Sequence, residues 1–449
     1  MDYLKKHISN FTIIFIVIIV VFSAANVKWG DQRWHSLLRD DGKGYYAYLP
    51  AVFIYQDLNF HFYDEIEAGK YQDRNLPYDY RYDFHGKAVN KYYCGTAIAE
   101  LPGFLLAHWI SKSLGYDPDG YSKPYLMSIS ISAILFMIFG LIFLRKTLLL
   151  YQLSEFNMSI ILLSIGLGTH LFYYVVAEPS MSHVFSFGLL SLYIYLGKSY
   201  FISPKKWQAI ALAALLGWIS LIRPVNVLVI FLLPFLAGSF RALKDGFLYL
   251  FRENTRYFVF AVLVVGMMVS LQSIIYYLQS GYFFVYSYGS EGFNFLDSHM
   301  IDILFSYKKG LFVYTPVTFI AMFGLVYLYR ENKFGFYSLL AFGYLLTYIL
   351  ASWWSWYYGG SFSSRVYIEY LPLFAILLSY ILKEIQKPWL RKAFLLLLIG
   401  TLSLNQLQTY QYRLGFIDYV DMNKEKYWKT YSLNWWMKRI VPMDEHQQQ

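Results

Sequence analysis

Carboxylates and imidazoles can move protons, guanidinium and ammonium groups can hold anions, and aromatic rings can stack on ligands. In this chain these types collect at a few places. "SLLRDDGKGYYAYLP" (36–50) sets Asp40 and Asp41 side by side, about a dozen residues after the first long apolar run. "THLFYYVVAEPSMSHVFSF" (169–187) carries His170, Glu178, Ser182 and His183. "LIRPVN" (221–226) carries Arg223 and Asn226. "YSYGSEGFNFLDSHMIDILFSYKKGLFVYTP" (286–316) carries Glu291, Asp297, His299, Lys308 and Lys309. "SWWSWYYGGSFSSRVYIEYLP" (352–372) carries a run of Trp and Tyr, two glycines and Arg365. Each type also has a plain structural use. Lys308 and Lys309 suit snorkelling anchors, the Trp run suits an interfacial belt, and His170, His183 and His299 suit hydrogen-bonded packing positions. Asp41 and Arg365 are harder to absorb that way. A bare carboxylate so near the end of an apolar run has few structural uses, and Arg365 follows glycines that permit close backbone approach.

The elements that must position these residues are membrane spans. The chain has 449 residues, 57% hydrophobic and 15% charged, where a soluble domain carries about 25% charged residues. Its apolar residues come in blocks, several of them near the ~20 residues that cross a bilayer. Eleven spans are predicted, at 9–27, 124–144, 157–177, 180–200, 207–222, 225–240, 257–280, 311–329, 335–351, 366–382 and 393–411. The first is read as a retained helix, because no small-residue cleavage site follows it. The fold class is an all-α polytopic membrane protein. Aromatics reach 21%, with 45 Tyr and 38 Phe, more than interfacial belts require, so some are expected to line a pocket. Cys94 is the one cysteine, which leaves no intrachain disulfide or cysteine metal cluster, and no metal ligand set is evident.

The net charge of +9 reads as orientation rather than nucleic-acid binding. With the N-terminus inside, beside Lys5 and Lys6, the inner loops collect seventeen basic residues and the short outer loops four: Arg223, Lys308, Lys309 and Arg365. That bias sets the topology. A twelfth span at 96–115 would reverse it, so that segment, with Glu100, Pro102 and His108, is expected to lie as an interfacial helix. It belongs to a long first extracytoplasmic loop, 28–123. Residues 1–411 form the transmembrane domain, and 412–449 a short extracytoplasmic tail with "DEHQQQ" at its end. All the polar motifs above then fall at the outer ends of spans, and the span interiors carry almost no charge. A transporter would place ionisable groups nearer the midplane.

The order and sidedness of "DDGKGYYAYLPAVFIYQDL", "NKYYCGTAIAELPGFLLAHW", "EPSMSHVFSF", "LIRPVN", "KKGLFVYTP" and "WYYGGSFSSR" resemble the GT-C integral-membrane glycosyltransferases, among them protein O-mannosyltransferases and the transferase that adds aminoarabinose to lipid A. The first loop has Asp-Asp where the mannosyltransferases have Asp-Glu, and Pro102 stands alone where the lipid A enzyme has Pro-Pro-Leu, so sugar and acceptor do not carry over. The resemblance implies an inverting transferase that moves a sugar from a polyprenyl-phosphate donor to an acceptor hydroxyl on a glycan, glycolipid or protein. It also implies a bacterial inner membrane with the site facing the periplasm, and neither cofactor nor catalytic metal. Asp41 is the expected base, with Asp40 and Glu178 as further catalytic candidates. Arg365, Arg223, Lys309 and Lys308 are expected to hold the donor phosphate. His183, Glu291, Trp356, Tyr357 and Tyr45 are expected at the sugar or acceptor, within a ring cluster at 353–358. The rival readings are a flippase or transporter of lipid-linked glycans, and a non-catalytic assembly subunit on the same scaffold.

Overall fold

In lipid every backbone polar group must be satisfied inside the chain, so apolar runs of this length become helices. A computed structural model describes residues 7–71 and 78–432. Lys5, Lys6 and the terminal "DEHQQQ" lie outside the described residues.

Among the described residues, seven helices are long and apolar enough to cross a membrane: Ile8–Trp29, Lys123–Leu150, Ser182–Ile202, Thr255–Ser280, Lys333–Ala351, Arg365–Glu384 and Pro388–Arg413. Two bent pairs bring the number to nine if each is one span, and Lys206–Ile222 is a shorter apolar helix. The all-α polytopic reading therefore holds, while the count of eleven is not reproduced as eleven continuous helices. The stretch 311–329 is three short pieces, Leu311–Tyr314, Pro316–Met322 and Gly324–Glu331. Pro316 supplies no N–H and pushes Thr315 out of helical geometry; Thr315 sits at φ −136°, ψ 64°. The span expected at 157–177 breaks by 54° between Glu155–Gly166 and Leu171–Ala177. The one at 225–240 ends at Ala237, where Gly238 takes a left-handed φ of 74°. The chain then turns 114° into Phe240–Glu253, whose first turn is capped by the Ser239 hydroxyl accepting from the Ala242 N–H.

Burial grades the helices. In Arg365–Glu384, 89% of the apolar window is inside the protein, against 11% in Thr255–Ser280. The first is a central post and the second faces lipid. Gly324 lets its helix touch the backbone of the post at Leu377.

The first loop folds on an aromatic core of Tyr46, Tyr48, Phe60, Tyr80 and Tyr121, joined by Tyr125 from the start of Lys123–Leu150. It also holds a two-stranded hairpin, Arg81–Phe84 paired antiparallel with Lys87–Asn90. The turn residues His85 and Gly86 both have positive φ, the geometry that matches strand twist in tight hairpins. Gly95–Leu114, expected at the interface, is a 20-residue helix containing Pro102, with Leu105, Leu106, Trp109 and Leu114 exposed along it. Many of the surplus aromatics are thus accounted for by this loop core.

Candidate active site

Asp41 opens the short helix Asp41–Tyr46. Asp40, just before it, has φ 44°, a left-handed backbone that favours glycine, and it turns the chain sharply after Leu38. Gly42 lies against Ser180 so closely that a β-carbon there would overlap the serine side chain. These two features press Asp41 onto the end of the helical bundle.

There it meets Arg365, the first residue of the central post. The Arg365 Nη2 donates to Asp41 Oδ2 at 2.6 Å. Tyr92 donates its hydroxyl to Asp41 Oδ1 at 2.7 Å, Tyr78 donates to the same oxygen at 3.3 Å, and the two tyrosine hydroxyls touch each other. Burial would raise the Asp41 carboxyl, but Arg365, the Tyr92 bond and Lys91 outweigh it and hold it below the ordinary carboxylate range.

Arg223 is held differently. Its Nη1 donates to Glu369 Oε1 at 2.9 Å, and lies 2.9 Å from His183 Nδ1. Asn226 also reaches Glu369, at 3.4 Å, and Tyr370 donates to Asn226 Oδ1 at 2.8 Å. Glu369 is fully buried, one turn inside the central span. It is the exception to the expectation of nearly uncharged span interiors, and it fixes Arg223 in place.

Both arginines line one cavity of about 510 Å3, with Asp41, Tyr45, His183, Glu291 and Tyr357. Its walls are largely aromatic. Lys91 and Glu291 bridge its rim at 2.6 Å, tying the first loop to the loop that follows Thr255–Ser280. Tyr45 packs at a tilt against Tyr92, ring centres 4.7 Å apart, and burial pushes its hydroxyl up to about 12.

Five sequence candidates fall outside the cavity lining. Asp40 is exposed. Glu178 accepts from the Tyr173 hydroxyl at 2.8 Å, and burial raises its carboxyl. Lys308 lies over the Tyr357 ring at 3.7 Å. Lys309 is 2% exposed, has no hydrogen-bond partner among the described residues and sits 5.1 Å from the Tyr412 ring centre. Burial lowers its ammonium to about 7, against the pull of Glu178 and Asp418. Trp356 stacks on His299 at 5.3 Å; from the same run it is Trp353, Trp354, Tyr357 and Tyr358 that line the cavity.

Sequence reading missed Glu369, Lys91, Tyr92 and Tyr78. Glu369 had a signal, an acid within an apolar run. The other three lie in a long loop whose folding no local pattern announces. Among the described residues, no group of three or more His, Cys, Asp or Glu is arranged to hold a metal ion.

No family model and no curated protein matches the sequence. The structure does match a solved one, the apo oligosaccharyltransferase of Archaeoglobus fulgidus, with a TM-score of 0.51 and 12% sequence identity over 99% of this chain. That protein is a GT-C membrane glycosyltransferase. The chain shares the fold of that protein and spans 59% of its length. At 12% identity the likeness concerns architecture alone. The cavity lies at the end of the helical bundle where the first loop folds back onto the spans.

Proposed function

We propose that this chain is an inverting glycosyltransferase that takes a sugar from a polyprenyl-phosphate donor and passes it to an acceptor hydroxyl outside the cytoplasm. The observation that carries this reading is the meeting of Asp41 and Arg365, 324 residues apart in sequence, beside Arg223 in one aromatic cavity. The GT-C fold supports it. So does the position of the charges, at one end of the bundle rather than along a path through it, which favours a transferase over a transporter.

In the reaction the acceptor oxygen bonds to the anomeric carbon as the bond from that carbon to the phosphate oxygen breaks. The acceptor proton goes to Asp41, and the phosphate leaves as a prenyl-linked anion. Such a leaving group needs cations rather than an acid, and guanidinium groups bind it with two parallel bonds. Arg223, anchored on Glu369, is a fixed cation. Arg365 is exchangeable. In the free protein three donors cap both oxygens of Asp41, which makes it a weak base. A donor phosphate competes for Arg365, and its release from Asp41 frees a carboxylate lone pair. The base is thereby switched on by donor binding. Lys308, over the Tyr357 ring, adds positive potential from outside the cavity, and Lys309, its ammonium lowered to about 7, adds it only when protonated. Tyr45, Tyr357 and His183 line the sugar space with Glu291, while Glu178 acts at a distance through the charge around Arg365.

The test is transfer by the purified protein in nanodiscs, with a panel of radiolabelled undecaprenyl-phosphate sugars and an envelope extract as acceptor. Asp41→Asn is expected to lower turnover by about 10²–10⁴-fold without loss of donor binding. Wild-type rates in that variant, with the same product, overturn the assignment. Mass spectrometry of envelope glycans in a deletion strain names the sugar by the residue that goes missing.

A further inference from the structure

The loop after Thr255–Ser280 has two faces. Its inner face, with Val285, Ser287 and Glu291, lines the cavity. Its outer face shows Tyr282, Phe283, Phe284, Phe295 and Leu296 to the surroundings. Phe284 is 87% exposed and Leu296 wholly so. A contiguous apolar display of this kind marks a contact surface.

The exposure does not come from a loose chain. Ser287 donates to the Lys91 carbonyl at 2.8 Å, the Trp354 N–H to the Gly292 carbonyl at 2.9 Å and the Asn294 N–H to the Ser352 carbonyl at 2.6 Å. The Tyr348 hydroxyl donates to the Phe295 carbonyl at 2.8 Å. The loop is pinned with its apolar side outward.

Both ends of that outer face run onto helices that cross the membrane. Phe283 stacks on Tyr277 of Thr255–Ser280, ring centres 4.5 Å apart, and that helix is the one with 11% of its apolar window buried. Phe295 packs on Tyr348 of Lys333–Ala351 at 5.8 Å, and Tyr348 stacks on the exposed Tyr344. From there the rings lead inward. Phe295 stacks on Phe293 at 5.5 Å, Phe293 meets Trp353 at 4.9 Å, Trp353 meets Tyr288 at 5.6 Å and Tyr288 meets Tyr92 at 6.3 Å. Tyr92 holds Asp41. An unbroken row of aromatic contacts joins the lipid-facing surface to the carboxylate.

We propose that residues 281–296 form a lip embedded in the bilayer, with lipid chains as the occupant of its outer face, so that the cavity opens sideways into the membrane. The occupant follows from continuity: the lip extends two surfaces that already face lipid, and its large exposed side chains are aromatic or aliphatic, with only the small polar Ser290 and Asn294 exposed among them. A lipid-linked substrate then reaches Asp41 along the ring row without leaving the membrane. That last step rests on the glycosyltransferase reading; the embedding does not.

The experiment places a nitroxide at Phe284→Cys and at Leu296→Cys in the full chain in phospholipid nanodiscs. The wild-type protein, whose one cysteine, Cys94, is buried, is the labelling control. Glu65→Cys, exposed on the first-loop helix Tyr63–Lys70, is the water-facing reference. The expected result is relaxation by oxygen at 284 and 296 several-fold above that at 65, with relaxation by a water-soluble nickel chelate several-fold below it. Nickel relaxation equal to that at 65 overturns the proposal by placing the lip in water. Protection from both reagents overturns it by showing that protein covers the lip. Because no sugar transfer is read, a protein inactive with every donor still answers the question.

Discussion

At the scale of single residues, the site separates two neighbouring acids by geometry. Asp41 is bonded by Arg365, Tyr92 and Tyr78, whereas Asp40 is exposed and holds a strained φ of 44°. Backbone of that kind costs roughly 1–3 kcal/mol in a residue other than glycine. Asp40→Gly is therefore expected to keep transfer activity and to hold or raise the melting temperature. An activity loss matching that of Asp41→Asn would make Asp40 the base instead. Lys309 offers a pH signature. Its ammonium is lowered to about 7 by burial in the folded chain and returns toward the ordinary lysine value of about 10.4 on unfolding. Between those values the unfolded chain binds one proton more than the folded one, so stability rises with pH across that window, by at most about 1.4 kcal/mol per pH unit. Below the window the burial of the cation opposes folding. Lys309→Met is expected to flatten the rise between pH 7 and 9 and to raise the melting temperature at pH 6.5. Thermal scans over that range in nanodiscs check it, and an unchanged slope would show that Lys309 is not the titrating group.

At the scale of elements, the site depends on how closely the Asp41–Tyr46 helix approaches the turn at Ser180. Gly42 is the contact that permits it. Gly42→Ala forces the helix outward and lengthens the reach from Asp41 to Arg365, although no reacting group is removed. The expected outcome is at least a tenfold drop in turnover with a modest change in melting temperature, since misplacements of about 1 Å cost up to 10²-fold. Full activity in that variant would show that the approach is not needed. The break at Thr315–Pro316 has a similar bearing. His170 Nδ1 lies 2.8 Å from Thr315 Oγ1, and Thr315 meets Ser363 at 3.2 Å, two residues before Arg365. Two breaks, at His170 and at Thr315–Pro316, thus brace the start of the central post next to Arg365.

At the scale of the whole molecule, the charge bias and the cavity make one joint statement about sidedness. The cavity, the first loop and the loop 281–296 share one end of the bundle, and the basic helix Phe240–Glu253 joins span ends at the other. On the proposed topology, with the N-terminus inside, the cavity would face away from the cytoplasm. His85→Cys is then expected to react with a membrane-impermeant maleimide in intact spheroplasts, and Lys244→Cys only after lysis. The reverse pattern would place the cavity in the cytosol, where a prenyl-phosphate sugar transferase of this design has no envelope acceptor.

The amino-acid sequence alone determined the helical, membrane-spanning class, the gathering of polar motifs at one set of span ends, and the candidacy of Asp41, Arg365 and Arg223. Apolar length and charge are local properties, and the bilayer reads them one segment at a time. Only the tertiary structure decided which polar groups meet. Asp41 pairs with Arg365 across 324 positions, and Arg223 rests on Glu369 across 146. Trp353 faces the cavity while Trp356 turns to His299, a choice set by the fold of 352–364 rather than by residue type. The same holds for Lys91, Tyr92 and Tyr78. Tyr92 and Tyr78 reach Asp41, and Lys91 reaches Glu291, because an aromatic loop core packs as one body, and such long-range contacts leave no periodic trace in the chain that makes them.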